Sequence, residues 1–128
     1  MEKIEFRFEK LIVWQAAVEF ADELLTPSES IRDQKLSFRL AEQLASASTS
    51  VSMNIAEGRG RSSTKSYILH LQYSRGSLYE VVTLCTILHN RKWINTETHH
   101  HIREMALSIA KMLNALITSL KKKITGSE

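Results

Sequence analysis

Residues 67–88 read YILHLQYSRGSLYEVVTLCTIL, and their periodicity is the clearest indication of the fold. Apolar or small side chains recur in it at alternating steps of four and three residues, which is typical of the core-facing side of a helix in a bundle. These positions are Tyr67, Leu71, Ser74, Leu78, Val81, Cys85 and Leu88. The spacing predicts a long helix at about residues 63–91. Glycine at Gly76 costs about 1 kcal/mol relative to alanine, so we expect a close helix contact near Gly76 and Ser77 to compensate.

Three more segments have helical periodicity, at about residues 8–25, 34–58 and 96–123. The first is predicted to end at Thr26-Pro27, because proline disfavours helical geometry in the residue before it. Four helices joined by short connections predict an all-α fold, an antiparallel up-and-down four-helix bundle that forms a single domain over residues 1–128.

The second helix contains a run of alanine and serine at residues 45–52. Small side chains let a neighbouring helix approach closely, so this face is the expected partner of the third helix. Gly58 and Gly60 are expected to supply the left-handed conformation that ends the second helix. Ser62 or Ser63 is expected to cap the third.

Helices one and four each carry two adjacent apolar seams, which is more than one bundle core needs. On helix one the seams are Leu11, Trp14, Val18, Ala21, Leu25 and Val13, Ala17, Phe20, Leu24. On helix four they are Ile102, Met105, Ile109, Met112, Leu116 and Ala106, Ala110, Leu113, Ile117, Leu120. The surplus predicts self-association, with a monomer that has a generous core as the alternative.

The composition is that of a globular protein, with 43% hydrophobic and 24% charged residues in 128. Cys85 is the only cysteine, so no internal disulfide can form and a reducing compartment such as the cytoplasm is expected. The charged start does not resemble a signal peptide, and no apolar run is long enough for a membrane span. Residues 1–33 carry a net charge of −4 and residues 34–128 a net charge of +7.

Several motifs together resemble the bacterial four-helix-bundle family encoded in 23S ribosomal RNA intervening sequences. The matching stretches are Leu11 to Ala17, Gln43-Leu44 with Ala47 and Ser50, Asn54 to Arg61, Gly76 to Glu80, and Trp93-Ile94. The sequence departs from the family pattern at Ala45-Ser46, where many members have arginine, and at Ser74, where alanine is usual.

The resemblance implies a homopentamer without enzymatic activity. It also implies a relation to the accessory variability determinants of diversity-generating retroelements, which bind nucleic acid and a reverse transcriptase. The two departures imply a weaker basic face than the family pattern would give.

Basic residues should gather at the end of the bundle where helix one begins, helices two and three turn, and helix four ends. The predicted nucleic-acid-binding residues are Lys3, Arg7, Lys10, Arg59, Arg61, Lys65, Lys121, Lys122 and Lys123. Such a cluster binds phosphates without sequence preference and with strong salt dependence. The alternative is that the three terminal lysines only complement the helix dipole.

Asn54 and Glu57 lie three residues apart and are predicted to join a buried polar network that specifies the pairing of helices. Glu57 can pair with Arg61 or with a base on helix three. The predicted structural residues are Asn54, Glu57, Gly58, Gly76, Ser77 and Glu80. A catalytic role for Glu57 would require a second carboxylate or a histidine nearby, and the sequence provides only Glu80 and His70 as candidates.

Other reactive side chains are expected to be structural. His99, His100 and His101 are adjacent and therefore point about 100° apart on a helix, so a solvated first turn is favoured over a metal site. Cys85 occupies a core position and is assigned no redox role. The sequence thus predicts a non-enzymatic nucleic-acid-binding accessory protein without cofactor. It would assist a reverse transcriptase or associate with rRNA, and the alternative is a protein-interaction scaffold.

Overall fold

The computed structural model describes residues 2, 4–31 and 35–126. A short 3₁₀ helix at Arg7–Lys10 precedes α1 (Ile12–Ser30), α2 (Lys35–Arg59), α3 (Thr64–Asn90) and α4 (Thr96–Thr125). The described residues contain no β-strand. The all-α prediction is confirmed.

The helices form an antiparallel bundle with a square cross-section. Each helix packs against its two neighbours, α1 on α2, α2 on α3, α3 on α4 and α4 on α1, whereas the described backbones of diagonal helices do not come within 8 Å. The core is continuous from end to end and consists of aliphatic side chains together with Phe20 and Cys85. Each fully buried valine, leucine, isoleucine or phenylalanine contributes about 1.5–3 kcal/mol. Its largest members include Phe20, Leu24, Leu44, Ile55, Leu71, Leu78, Leu88, Ile109 and Leu113.

The contact between α2 and α3 is the most extensive in the bundle, and small residues make it possible. The buried Ser74 hydroxyl donates to the backbone oxygen of Val51 at 2.8 Å. The close contact expected near Gly76 and Ser77 is made by Ser77, whose hydroxyl lies 2.8 Å from that of Ser50 on α2. Gly76 itself is exposed and would have nothing within 4 Å of an added Cβ. A second close approach is at Gly58, where an added Cβ would lie 2.8 Å from the Cβ of His70.

The sequence predicts that α1 ends at Thr26-Pro27, but in the structure the helix continues to Ser30. Two serine hydroxyls occupy backbone oxygens of this last turn: Ser28 donates to Leu25 at 2.9 Å, and Ser30 to Pro27 at 3.0 Å. Ser28 and Ile31 are buried in the bundle. Packing therefore holds an extra turn that the local preference of proline would end.

The helix ends differ in part from expectation. Ser63 caps α3 as predicted by accepting a hydrogen bond from the backbone N–H of Ser66 at 3.1 Å. Neither Gly58 nor Gly60 is left-handed. Among the described residues that conformation occurs at Lys92, after α3, and at Gly126, after α4. Helix α2 instead ends with the N–H of Gly60 shared between the backbone oxygens of Ala56 and Glu57.

The two-seam prediction holds only partly. On α1 the seam from Val13 to Leu24 is buried, and on α4 so is most of the seam from Ala106 to Leu120, while the adjacent seams are mainly half-buried. The large exposed apolar side chains lie mostly off these seams, and include Ile12, Met53, Tyr73, Tyr79 and Leu107. Exposed apolar side chains are therefore also found on α2 and α3, where the two-seam pattern does not predict them.

Candidate nucleic-acid interface

Antiparallel order brings three basic segments to one end of the bundle: the 3₁₀ helix, the α2–α3 turn and the end of α4. We call this set of cations the basic rim. Its described members are Arg7, Lys10, Arg59, Arg61, Lys65, Lys121, Lys122 and Lys123; Lys3 lies outside the described residues. All of them are exposed except Arg59, which is half-buried.

Aromatic packing fixes the 3₁₀ helix. The ring of Phe8 meets Trp14 edge-on at 5.3 Å between centroids, and Phe6 stacks on Phe8 at 5.7 Å. The Glu9 carboxylate accepts a hydrogen bond from the N–H of Phe6 at 2.7 Å. Because the segment packs against both α1 and α2, Arg7 and Lys10 sit beside the end of α2.

The α2–α3 turn holds a three-residue polar cluster. Arg61 Nη2 lies 2.7 Å from Glu57 Oε1 and 3.3 Å from His70 Nε2. His70 Nδ1 donates to the backbone oxygen of Ser66 at 2.9 Å, so Nε2 is the atom left to accept from Arg61. Glu57 thus pairs with Arg61, as predicted, and lies 3.7 Å from a base on α3. This pairing partly offsets the charge of Arg61.

Arg59 lies near the Tyr67 side chain of α3, and two of the rim lysines lie in the last turn of α4. Burial raises the pKa of the Tyr67 hydroxyl, and the positive charge of nearby Arg59 works against that rise. Lys122 and Lys123 occupy the last turn of α4, before the left-handed Gly126. That position favours cations through the helix dipole, so the dipole role and phosphate binding are compatible.

The residues predicted to be structural do connect helices, but less deeply than expected. Asn54 donates to Ser50, whose hydroxyl is 2.8 Å from that of Ser77 on α3. Glu80 accepts from Gln43 across the same pair of helices at 3.3 Å. Asn54, Ser50 and Ser77 are half-buried, whereas Gln43 and Glu80 are exposed. The Glu57 side chain is 58% exposed, so the prediction of a buried network is wrong for Glu57.

The histidine run contains a feature that sequence reasoning missed. His99 is half-buried, and its ring stacks on His89 of α3 at 4.4 Å between centroids. Burial, followed by the positive charges of His89, Arg103 and His100, lowers the pKa of His99. The prediction of a solvated first turn is therefore wrong for His99. The sequence alone does not show that position 89 lies opposite position 99.

Groups suited to chemistry are sparse in the part of the chain that the structure describes. No three side chains among its histidines, cysteines and carboxylates lie close enough to hold a metal ion. Cys85 is buried, which raises the pKa of its thiol to about 12. Of the helices in the described ranges, none is both long and apolar enough to cross a membrane.

Both the sequence and the fold of this chain are similar to those of known proteins. The family model described as "23S rRNA-intervening sequence protein" matches residues 9–115. A crystal structure of a protein of unknown function from the S23 ribosomal protein family of Bacteroides thetaiotaomicron superposes with a TM-score of 0.78 at 22% identity. The match covers 83% of this chain and 98% of that one, and at this identity it shows a shared fold. No curated protein matches the sequence.

Proposed function

Because the chain belongs to the 23S rRNA-intervening sequence protein family, we propose that it is a non-enzymatic homo-oligomer that binds nucleic acid, with ribosomal RNA as the first candidate. A pentamer is the proposed assembly. The proposal is carried by one observation, the collection of exposed cations from three separate segments at a single end of the bundle.

The physical basis is electrostatic. Lysine and arginine side chains release counterions when they neutralise phosphates, so affinity falls steeply with salt and depends little on sequence. The acidic residues near the rim are partly engaged, since Glu57 contacts Arg61 and Glu9 accepts from the N–H of Phe6. An assembly of several copies would present several basic rims to one nucleic-acid strand.

A double charge reversal, Arg59→Glu with Arg61→Glu, tests the rim. We expect RNA and DNA affinity at low salt to fall at least about tenfold, and the slope of log affinity against log salt to fall by about one to two. Fluorescence anisotropy with a labelled oligonucleotide measures both. The matched control is Arg91→Glu with Lys92→Glu, which makes the same charge change at the opposite end.

The outcome is decided by comparing the two variants. Equal affinity in the rim variant and the wild type would contradict the proposed binding surface, and an equal loss in the control would reduce it to an effect of net charge. Circular dichroism and the unfolding midpoint show whether each variant remains folded.

A protein-interaction scaffold without nucleic-acid affinity is the second candidate, and the apolar groove between α3 and α4 favours it. A wild-type protein that binds neither RNA nor DNA at low salt would support the scaffold. A reverse transcriptase is the partner that the family resemblance suggests. A gene for one beside this gene would point to a retroelement, whereas a position inside an rRNA gene would point to rRNA association.

A further inference from the structure

Three exposed apolar side chains lie next to the basic rim, on the outer side of the α2–α3 pair. Leu69 and Tyr73 of α3 are 43% and 53% exposed, and Met53 of α2 is 65% exposed. We call these three side chains the apolar strip. Lys65, Leu69 and Tyr73 follow one another at steps of four residues, so they share one face of α3. This face leads from a cation of the rim to an exposed aromatic ring.

Two contacts between α2 and α3 show that Met53 and Tyr73 lie at the same level of the bundle. Gly58 packs against α3 close to the rim, and the hydroxyls of Ser50 and Ser77 meet further along at 2.8 Å. Both helices rise by the same distance per residue, so residues midway between the two contacts lie beside each other. Met53 and Tyr73 are at that midpoint, which makes the strip continuous across the pair.

His70 connects the rim to the strip. Its ring meets that of Tyr73 edge-on, with 5.7 Å between the centroids and 74° between the planes. The same imidazole lies 3.3 Å from the Arg61 guanidinium through Nε2. It is only 9% exposed, and Nδ1 donates to the Ser66 backbone oxygen. His70 is therefore a fixed spacer that holds a cation and an aromatic ring at a separation that neighbouring nucleotides of one strand can span.

The charges around the strip favour an anionic ligand at its rim end. Arg59, Arg61 and Lys65 lie there with a single carboxylate, that of Glu57, which Arg61 engages at 2.7 Å. Beyond Tyr73 on α3, the exposed Glu80 carries a negative charge. A phosphate chain is therefore attracted at the rim end and repelled at the far end, so the strip accommodates only a few nucleotides.

A cation beside an exposed aromatic ring is the combination that binds single-stranded nucleic acid. Cations contact the phosphates of single strands and duplexes alike. An aromatic side chain, by contrast, stacks on the face of an unpaired base, and every base has such a face. The bases of a duplex are already stacked on one another, so the ring distinguishes the two forms.

We propose that this part of the rim binds single-stranded nucleic acid, with Arg61 and Lys65 at phosphates and an unpaired base stacked on Tyr73. The inference rests on the nucleic-acid binding proposed above and specifies the class of nucleic acid. Leu69 and Met53 flank the ring and exclude water from the edges of the stacked base.

Removing the ring tests the stacking. We expect Tyr73→Ala to lower the affinity for a labelled oligouridylate at least about fivefold, and to leave the affinity for an RNA duplex with the same number of phosphates unchanged. The slope of log affinity against log salt should stay the same, because no cation is removed. Fluorescence anisotropy measures all three quantities, and circular dichroism shows whether the variant remains folded.

Two further variants separate stacking from other effects. Tyr73→Phe keeps the ring and should bind like the wild type. Tyr79→Ala removes a tyrosine of nearly the same exposure, 52%, from the side of α3 that faces α4, and should change neither affinity. A fluorescent adenine analogue in the single strand should lose emission on binding the wild type, through stacking, and lose less on binding Tyr73→Ala.

Three results would overturn the inference: an unchanged single-strand affinity in Tyr73→Ala, an equal loss for the single strand and the duplex, or an equal loss in Tyr79→Ala. The first would assign the apolar strip to a protein contact instead.

Failure of the proposed function itself looks different. A wild type that binds neither single strands nor duplexes at low salt removes nucleic-acid binding as well as the stacking. A wild type whose affinity depends on Arg59 and Arg61 but not on Tyr73 removes only the stacking.

Discussion

Gly58 has no room for a side chain. Its backbone is right-handed, so the requirement comes from packing and not from conformation. An added Cβ would lie 2.8 Å from the Cβ of His70, 3.1 Å from a ring carbon of Tyr67 and 3.2 Å from the Tyr67 backbone oxygen. Two of these three atoms are close to or part of the α3 backbone and cannot rotate away, so the residue fixes how closely the end of α2 approaches α3.

Replacing Gly58 with alanine should therefore destabilise the bundle. Overpacking of this kind costs about 1–3 kcal/mol. Gly76→Ala is the matched control, because its Cβ meets nothing within 4 Å and the better helix propensity of alanine should stabilise by up to about 1 kcal/mol. Urea unfolding of both variants measures the difference. Equal shifts in the same direction would show that packing at Gly58 does not decide the effect.

The helices differ in how far the sequence predicts them. The core-facing register of α3 is predicted correctly because one face of the helix meets the core over its whole length. All seven register positions are buried except Tyr67, which is half-buried. The end of α1 was not readable, since burial of Ser28 and Ile31 outweighs the preference of Pro27. Local signals indicate which segments are helical, but tertiary packing sets the last turn.

The candidate site, too, can be predicted from the sequence only in part. Helix order alone is enough to place the rim cations at one end. Neither Gly58 against His70 nor His89 against His99 could be predicted, because each pair depends on the axial offset between two helices. Their side chains carry no pattern that specifies this offset.

The stacked pair at the α3–α4 turn should make stability depend on pH. The pKa of His99 in the folded protein lies below its ordinary value of 6.5, so the unfolded chain binds a proton first as the pH falls. Stability contributed by the neutral ring is therefore present above about pH 6.5 and is lost below it. We expect His99→Gln to reduce the loss of stability between about pH 7 and pH 5, measured by urea unfolding.

His101→Gln is the comparison for that experiment, because His101 lies on the other side of α4 beside Glu23. It should leave the His99-dependent loss in place. A pH dependence that is the same in His99→Gln and in the wild type would show that the stacked pair does not contribute.

Assembly and nucleic-acid binding should be coupled if copies of the chain form the proposed homo-oligomer. One long strand can then contact several rims, whereas a short oligonucleotide contacts one. The charge reversal Arg59→Glu with Arg61→Glu alters every rim of the assembly at once. We therefore expect it to weaken binding of a long RNA by a larger factor than binding of a short oligonucleotide.

Anisotropy titrations with the two lengths test this coupling. Equal losses for both lengths would mean that the rims act independently of assembly. No loss for either length would mean that Arg59 and Arg61 do not contact nucleic acid.

His70 gives the rim a spectroscopic reporter. Its Nδ1 proton is committed to the Ser66 backbone oxygen, so the ring is held as one tautomer while Nε2 faces Arg61 at 3.3 Å. A phosphate that draws the guanidinium away would remove the only hydrogen bond donated to Nε2 among the described contacts of that ring. The imidazole nitrogen resonances of this one residue would then register occupancy of the rim directly, without a label on the nucleic acid.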